Sequence, residues 1–190
     1  MNFPRYCAAL AAAATIGGCA GLPPERPVER ARPFDLVGRV AVNHEGRAFS
    51  AGVRWEHTAE RDEVWLLTPV GQALAHIVGD AQGATYTGAD RSRHTARDIG
   101  TLTRRALGWE LPLEPLSWWV QGAIAPAAVI QHVERDEQGR LVTLGQEGWR
   151  IAYNYVPGED GSRPRRLDIS GGAQEIRLVI DNWRRDGETP

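Results

Sequence analysis

Few of the 190 residues combine the type and the spacing that bond-making chemistry needs. The five histidines, His44, His57, His76, His94 and His132, are never at metal-ligand spacing from one another and mostly adjoin turns or charges, which reads as solvated surface. Ser50 and Ser117 lack a neighbouring His and a strand-to-helix elbow. Glu175 and Asp181 share a strand face with Arg177, a charge-paired solvent face and not a hydrolytic carboxylate pair. All 22 basic residues are Arg, which excludes a phosphate-loop lysine, a Schiff-base lysine and a lysine general base. Work done by such a chain runs downhill on binding free energy.

Cys19 is the side chain with covalent promise. Residues 1–18 follow secretory grammar: a positive charge at Arg5, an apolar run from Tyr6 to Ile16, then Gly17 and Gly18. The run is too short to span a bilayer. Its ending, Ile-Gly-Gly-Cys, resembles a bacterial lipobox, in which the Cys becomes the acylated first residue of the mature protein. Leu is usual where Ile16 stands, and Ala or Ser is commoner than Gly17. Residues 19–33 are Pro-rich and charged, a spacer with little capacity to fold. Cys7 and Cys19 are the two cysteines, so the domain beyond them has no disulfide and no thiolate ligand.

The domain that must position any site runs over 34–185, with a short disordered tail at 186–190. Its formal charge offers nothing to nucleic acid: −2 for the chain, and −3 once the leader, with Arg5 and no acid, is set aside. Seven Trp, 21 Gly and many β-branched residues in short runs indicate a β-rich fold. In FDLVGRVAVN, Leu36, Val40 and Val42 share a side, with Gly38 leaving room between them. In AFSAGVRWEH, Phe49, Ala51, Val53 and Trp55 face one way. Two such strands across a short connection form an antiparallel hairpin. A further pair of strands is expected within 63–78, and single strands at 84–87, 140–145, 149–155, 164–170 and 173–183. Between them the period changes. Thr95 to Asp98 reads as a capping box ahead of a three-turn helix carrying Ile99, Leu102 and Ala106. Pro112 and Pro115 bound a second helix with Leu116, Trp119 and Val120. The implied architecture is mainly β: an unclosed, strongly curved antiparallel barrel of about 10–11 strands, its open side closed by two or three short helices.

The stretch EVWLLTPVGQALAHIV, residues 63–78, is two apolar strands about a turn. Pro69 and Gly71 make the bend ordinary, but Val70 between them is apolar where turn tips are normally polar. Such a residue either folds back onto its own protein or is presented to something apolar outside it. The run Val64-Trp65-Leu66-Leu67 loses alternation, so Trp65 and Leu66 are left unassigned between inside and outside.

FDLVGRVAV, FSAGVRW, LLTPVGQ, ALGWELPLEPLSWWVQG, WRIAYNY, and PRRL leading to IRLVIDNW, in that order from Phe34 to Trp183, resemble the outer-membrane lipoprotein receptor family LolB. The resemblance implies an unclosed β-barrel with an apolar cavity lidded by helices, and a non-enzymatic activity without cofactor or nucleotide hydrolysis. It implies a monomer anchored in the outer membrane through N-acyl and S-diacylglyceryl groups on Cys19, facing the periplasm. Its partners would be the periplasmic carrier LolA, the acyl chains of lipid-modified cargo proteins, and the inner leaflet that receives them. Pro69, Val70 and Gly71 match the family's protruding membrane loop, where Leu commonly stands at the position of Val70. The cavity candidates are Val40, Val42, Phe49, Val53, Trp55, Ile99, Leu102, Leu116 and Trp119. The same residues also suit the packed core of an ordinary barrel, and an outer-membrane scaffold or a binder of small apolar ligands stays open as the other reading. Three chains of roughly 16 carbons, at ~0.8 kcal/mol per methylene, would cost on the order of 35 kcal/mol to leave in water. Transfer must therefore run from one apolar surface to another.

Overall fold

The structure, a computed structural model, describes residues 30–126, 128–156 and 163–184. Cys7, Cys19, the leader, most of the spacer and the tail lie outside these residues. Described in chain order are β1 (Phe34–His44), β2 (Arg47–His57), β3 (Arg61–Leu67), β4 (Ala73–Asp80), β5 (Gly83–Gly88) and β6 (Arg93–Ala96). Then come α1 (Ile99–Leu107), α2 (Leu113–Trp119), β7 (Ile130–Arg135), β8 (Leu141–Gln146), β9 (Trp149–Asn154), β10 (Arg166–Gly171) and β11 (Gln174–Arg184).

All eleven strands form one antiparallel sheet in the order β6-β5-β4-β3-β2-β1-β11-β10-β9-β8-β7. The two ends of that order do not pair with each other, so the barrel is unclosed. β1 sits in the middle because its hairpin partner β2 takes one edge and the last strand, β11, returns to the other. Its approach to β11 is close at Gly38, where a Cβ would lie 2.2 Å from the Val179 carbonyl oxygen, at a break in register between Val37 and Gly38. Glu45 and Gly46, both with positive φ, close the β1–β2 hairpin, and Glu147 and Gly148 do the same between β8 and β9.

Alternation decides the faces. Leu36, Val42, Val53, Trp55, Val64 and Ile77 point to the concave side and belong to one continuous core. The register pairs Leu66 with Val53 and Trp65 with Arg54, so Leu66 faces in and Trp65 faces out. Trp65 is sheltered on the outside between the His76 ring, stacked 5.0 Å away, and the Arg54 guanidinium, 5.1 Å from its centroid.

Four expectations need correction. Thr95 does not cap a helix; it lies in β6, and Asp98 is the N-cap, its side chain accepting from the Thr101 N–H at 2.6 Å. The first helix is therefore nine residues and not three full turns from Thr95. Pro115 lies within α2, which starts after Pro112. β6 and β7 were not foreseen: both are edge strands, β6 short and mostly exposed, and β7 exposed along its whole length. Residues 31–33, read as spacer, lie against the domain: Ala31 is buried and the Arg32 carbonyl accepts from the Gln121 amide at 3.0 Å.

Candidate functional site

The tip is a Pro-led turn. The Gly71 N–H donates to the Thr68 carbonyl at 2.9 Å, the Gln72 N–H to the Thr68 Oγ1 at 3.0 Å, and Gly71 takes the left-handed conformation at φ 82°. The bend is thus held by its own backbone and needs nothing from Val70, whose side chain is left 80% exposed. It does not fold back onto the protein.

Eight of the nine apolar candidates gather in one core: Val40, Val42, Val53 and Trp55 from the concave face of β1 and β2, Ile99 and Leu102 from α1, and Leu116 and Trp119 from α2; Phe49 shares the strand face but lies outside that core. Six of the nine are buried in the core; Val40 and Ile99 are partly covered, and Phe49 is 42% exposed. The helices thus lie on the sheet and close over it.

Each helix is fixed differently. α1 rests on β4, β5 and β6, with the Ile99 side chain seated over Gly79, where a Cβ would come within 2.3 Å of its Cδ1. Its hydrogen bonds are local: Asp98 caps it, Gly108 ends it in the left-handed region, the Thr103 hydroxyl accepts from the Leu111 N–H at 2.9 Å, and Arg104 pairs with Glu110. Hydrogen bonds from the Thr101 N–H and hydroxyl, with Arg97 adjacent, hold the Asp98 carboxyl below the usual range. Its contribution to α1 is thus present above the ordinary carboxylate pKa and is lost as pH falls through the lowered one.

α2 is bound to the rest of the fold through a side chain that sequence reasoning passed over. Gln146, at the end of β8, is fully buried. Its Oε1 accepts from the Trp119 indole N–H at 2.9 Å and from the Ala125 N–H at 3.1 Å, and its Nε2 donates to the Ala125 carbonyl at 2.7 Å. A buried amide with its polar groups engaged in this way specifies geometry, since any displacement strands groups out of reach of water. The signal in the sequence was a lone Gln closing a strand, LVTLGQ, whose one other polar side chain is Thr143.

The polar residues set aside keep structural roles. His57 is buried, contrary to the solvated reading: it stacks on Phe34 and its Nδ1 lies 2.7 Å from Asp62 Oδ1. Arg177 pairs across strands with Asp168 at 2.7 Å, and Asp181 with Arg39 at 2.8 Å. Arg163 lies over the Trp183 ring, and Arg165 donates to the Asp181 carbonyl. Among the described residues no group of three or more His, Cys, Asp or Glu converges to hold a metal. An open depression of about 620 Å³ is bordered by Arg150, Arg166, Asp168 and Arg177 and also by Val42 and Phe49.

The family model described as "Outer membrane lipoprotein LolB" matches residues 32–183. The chain belongs to the LolB family. Its curated relatives include the outer-membrane lipoprotein LolB of Nitrosomonas europaea, 39% identical over 160 residues, covering 83% of this chain and 74% of that one. The LolB of Thiobacillus denitrificans is 39% identical over 173 residues, covering 89% and 91%. Among solved structures, a DUF1329 family protein from Desulfovibrio piger shares the fold at TM-score 0.50 and 7% identity, covering 86% of this chain and 89% of that one. A LolA superfamily protein from Nitrosomonas europaea is similar at TM-score 0.46 and 8% identity, covering 85% and 88%. LolB membership makes the chain an outer-membrane lipoprotein and not an enzyme, and no helix among its described residues is long and apolar enough to cross a membrane.

Proposed function

We propose that this chain accepts lipid-modified proteins from the periplasmic carrier LolA and places them in the inner leaflet of the outer membrane. The acyl chains would be held on the concave face among Val40, Val42, Phe49, Val53 and Trp55, under Ile99, Leu102, Leu116 and Trp119. The observation that carries this reading is that all of these side chains but Phe49 gather in one apolar core, from two strands and two helices. A continuous apolar surface is what cargo needs if its chains are never to meet water, at a cost of ~0.8 kcal/mol per methylene exposed. Cys19, carrying N-acyl and S-diacylglyceryl groups, anchors the domain beside the bilayer, and Pro69, Val70 and Gly71 present an apolar tip to it. The exchange uses no cofactor and no nucleotide, and one copy of the chain suffices.

The test is a transfer assay. LolA loaded with a lipoprotein is mixed with this protein and with liposomes, without nucleotide, and vesicle-bound lipoprotein is measured by flotation. Cargo should move from the carrier to the vesicles only when the protein is present. Cargo that stays on LolA rejects the reading. Replacing Cys19 with Ala should give a soluble form that incorporates no labelled palmitate; label retained in that variant would place the acylation elsewhere.

A further inference from the structure

With both helices down, six of the nine candidate acyl-binding side chains are buried against one another, so an acyl chain gains the whole face only where a helix parts from the sheet. The two helices are unequal in what holds them. The hydrogen bonds found for α1 run within residues 97–111, and its hold on β4, β5 and β6 is apolar contact, with Ile99 over Gly79 and the buried Leu102. α2 and the segment after it are bonded to β8 through three hydrogen bonds of the buried Gln146, and to the N-terminal segment through Gln121. Parting α1 from the sheet exposes apolar surface that an incoming hydrocarbon covers again. Parting α2 would also strand the Trp119 indole N–H and the Ala125 N–H and C=O, which hydrocarbon cannot satisfy.

We propose that acyl chains are admitted between α1 and the β4–β6 face, α1 acting as the moving jaw and α2 as the fixed one, with Gln146 the positioning residue that keeps it fixed. The inference rests on the acyl-binding reading and adds to it a side of admission and a residue that determines it. It also accounts for the sheet edge there: β6 is four residues long and mostly exposed, so few strand contacts resist the opening.

The chain from Ala20 onward contains no cysteine, so an engineered pair is clean. A side chain at 79 would place its Cβ 2.6 Å from Ile99 Cγ1, close enough for Gly79→Cys with Ile99→Cys to bridge α1 to β4. Uptake of a triacylated lipopeptide bearing palmitoyl chains is measured for the oxidised and reduced forms of this variant. Oxidation should lower uptake at least tenfold, and Gln146→Leu added to the oxidised variant should restore at least half of it by freeing the second jaw. In the protein without engineered cysteines, lipopeptide should raise hydrogen exchange in α1 about tenfold while leaving the Ala125 amide protected.

Uptake equal within twofold in the oxidised and reduced forms overturns the proposal. Exchange that rises at Ala125 and not in α1 overturns it as well, and decides the matter if the reduced variant itself binds poorly. Failure of Gln146→Leu to restore uptake removes the role given to Gln146. A protein without engineered cysteines that takes up no lipopeptide overturns the acyl-binding reading itself, and this proposal with it.

Discussion

Phe34 and Phe49 lie on the same face of the same hairpin, at its two ends, and they are treated oppositely. Phe34 is 8% exposed, set between Trp55 at 4.9 Å, Trp183 at 5.6 Å and the stacked His57 ring at 5.1 Å. Below that cluster, Asp62 Oδ1 accepts from the Trp55 indole N–H at 2.8 Å and lies 2.7 Å from His57 Nδ1. Phe49 has no comparable setting and is 42% exposed, and the tip with Val70 projects from the same end of β3 and β4. One end of the hairpin is built as an aromatic plug in which Asp62 joins the Trp55 indole N–H and the His57 Nδ1; the other leaves Phe49 and Val70 exposed. A fold that needed only stability would have closed both. The difference teaches that the two ends carry unequal shares of the fold's stability, and an apolar end left exposed is what the proposed membrane contact would require.

The sharpest way to break the comparison is at the plug. Phe34→Ala should destabilise the domain by about 3–5 kcal/mol, the usual cost of emptying a buried aromatic site, read as a lower denaturation midpoint in urea with an unchanged slope. A loss under about 1 kcal/mol would mean that the two ends do not differ as described. Asp62→Ala tests the polar half of the plug. It leaves the Trp55 N–H and the His57 Nδ1 without their shared acceptor in a mostly buried place, and should cost about 1–3 kcal/mol.

How far the sequence foretells this contrast depends on what each residue is asked to reveal. Alternation in FDLVGRVAVN and AFSAGVRWEH placed Val42, Phe49, Val53 and Trp55 on one face, and the register agrees, because period two follows from the pleat alone. Alternation does not say where along a strand the cover ends, so the exposure of Phe49 was not legible. Val70 stood out, since a branched aliphatic between Pro69 and Gly71 breaks turn chemistry visibly, but the turn did not say whether it folds back or is presented outward; it is exposed. Trp65 was not legible, because its outward shelter comes from Arg54 and His76 on neighbouring strands. β7 escaped notice because Gln131, His132, Glu134 and Arg135 dilute its apolar residues and two register breaks disturb its pairing with β8. The capping residue of α1 was misplaced by three positions, since Thr95 and Asp98 are both good caps and only tertiary pairing of β6 with β5 takes Thr95 away. Gln146 carries the least local signal of all: its partners, Trp119 and Ala125, are 27 and 21 residues distant.

At the open end the same substitution as at the plug should do much less. Phe49→Ala removes a ring already 42% in water and should cost about 1 kcal/mol, several-fold below Phe34→Ala, measured in the same urea titration. If Phe49 also meets hydrocarbon, uptake of a palmitoylated lipopeptide should fall more than stability does. Equal losses in the two experiments would make it an ordinary rim residue.

Val70→Glu is the smallest perturbation of the fold and the most pointed test of the comparison. The turn is held by Thr68, Gly71 and Gln72 through the backbone and one hydroxyl, and the Val70 side chain is 80% exposed, so stability should change by no more than about 0.5 kcal/mol. A carboxylate cannot enter the hydrocarbon boundary as valine can, so delivery of lipoprotein to liposomes should fall while removal of cargo from the carrier proceeds as before. Val70→Leu should deliver at least as well as the parent, since it lengthens the apolar contact by about one methylene, worth about 0.8 kcal/mol if fully buried in lipid. Delivery by Val70→Glu at the parent rate would leave the tip a passive turn, and the apolar character of the open end would then have to be sought in Phe49 and its surroundings alone.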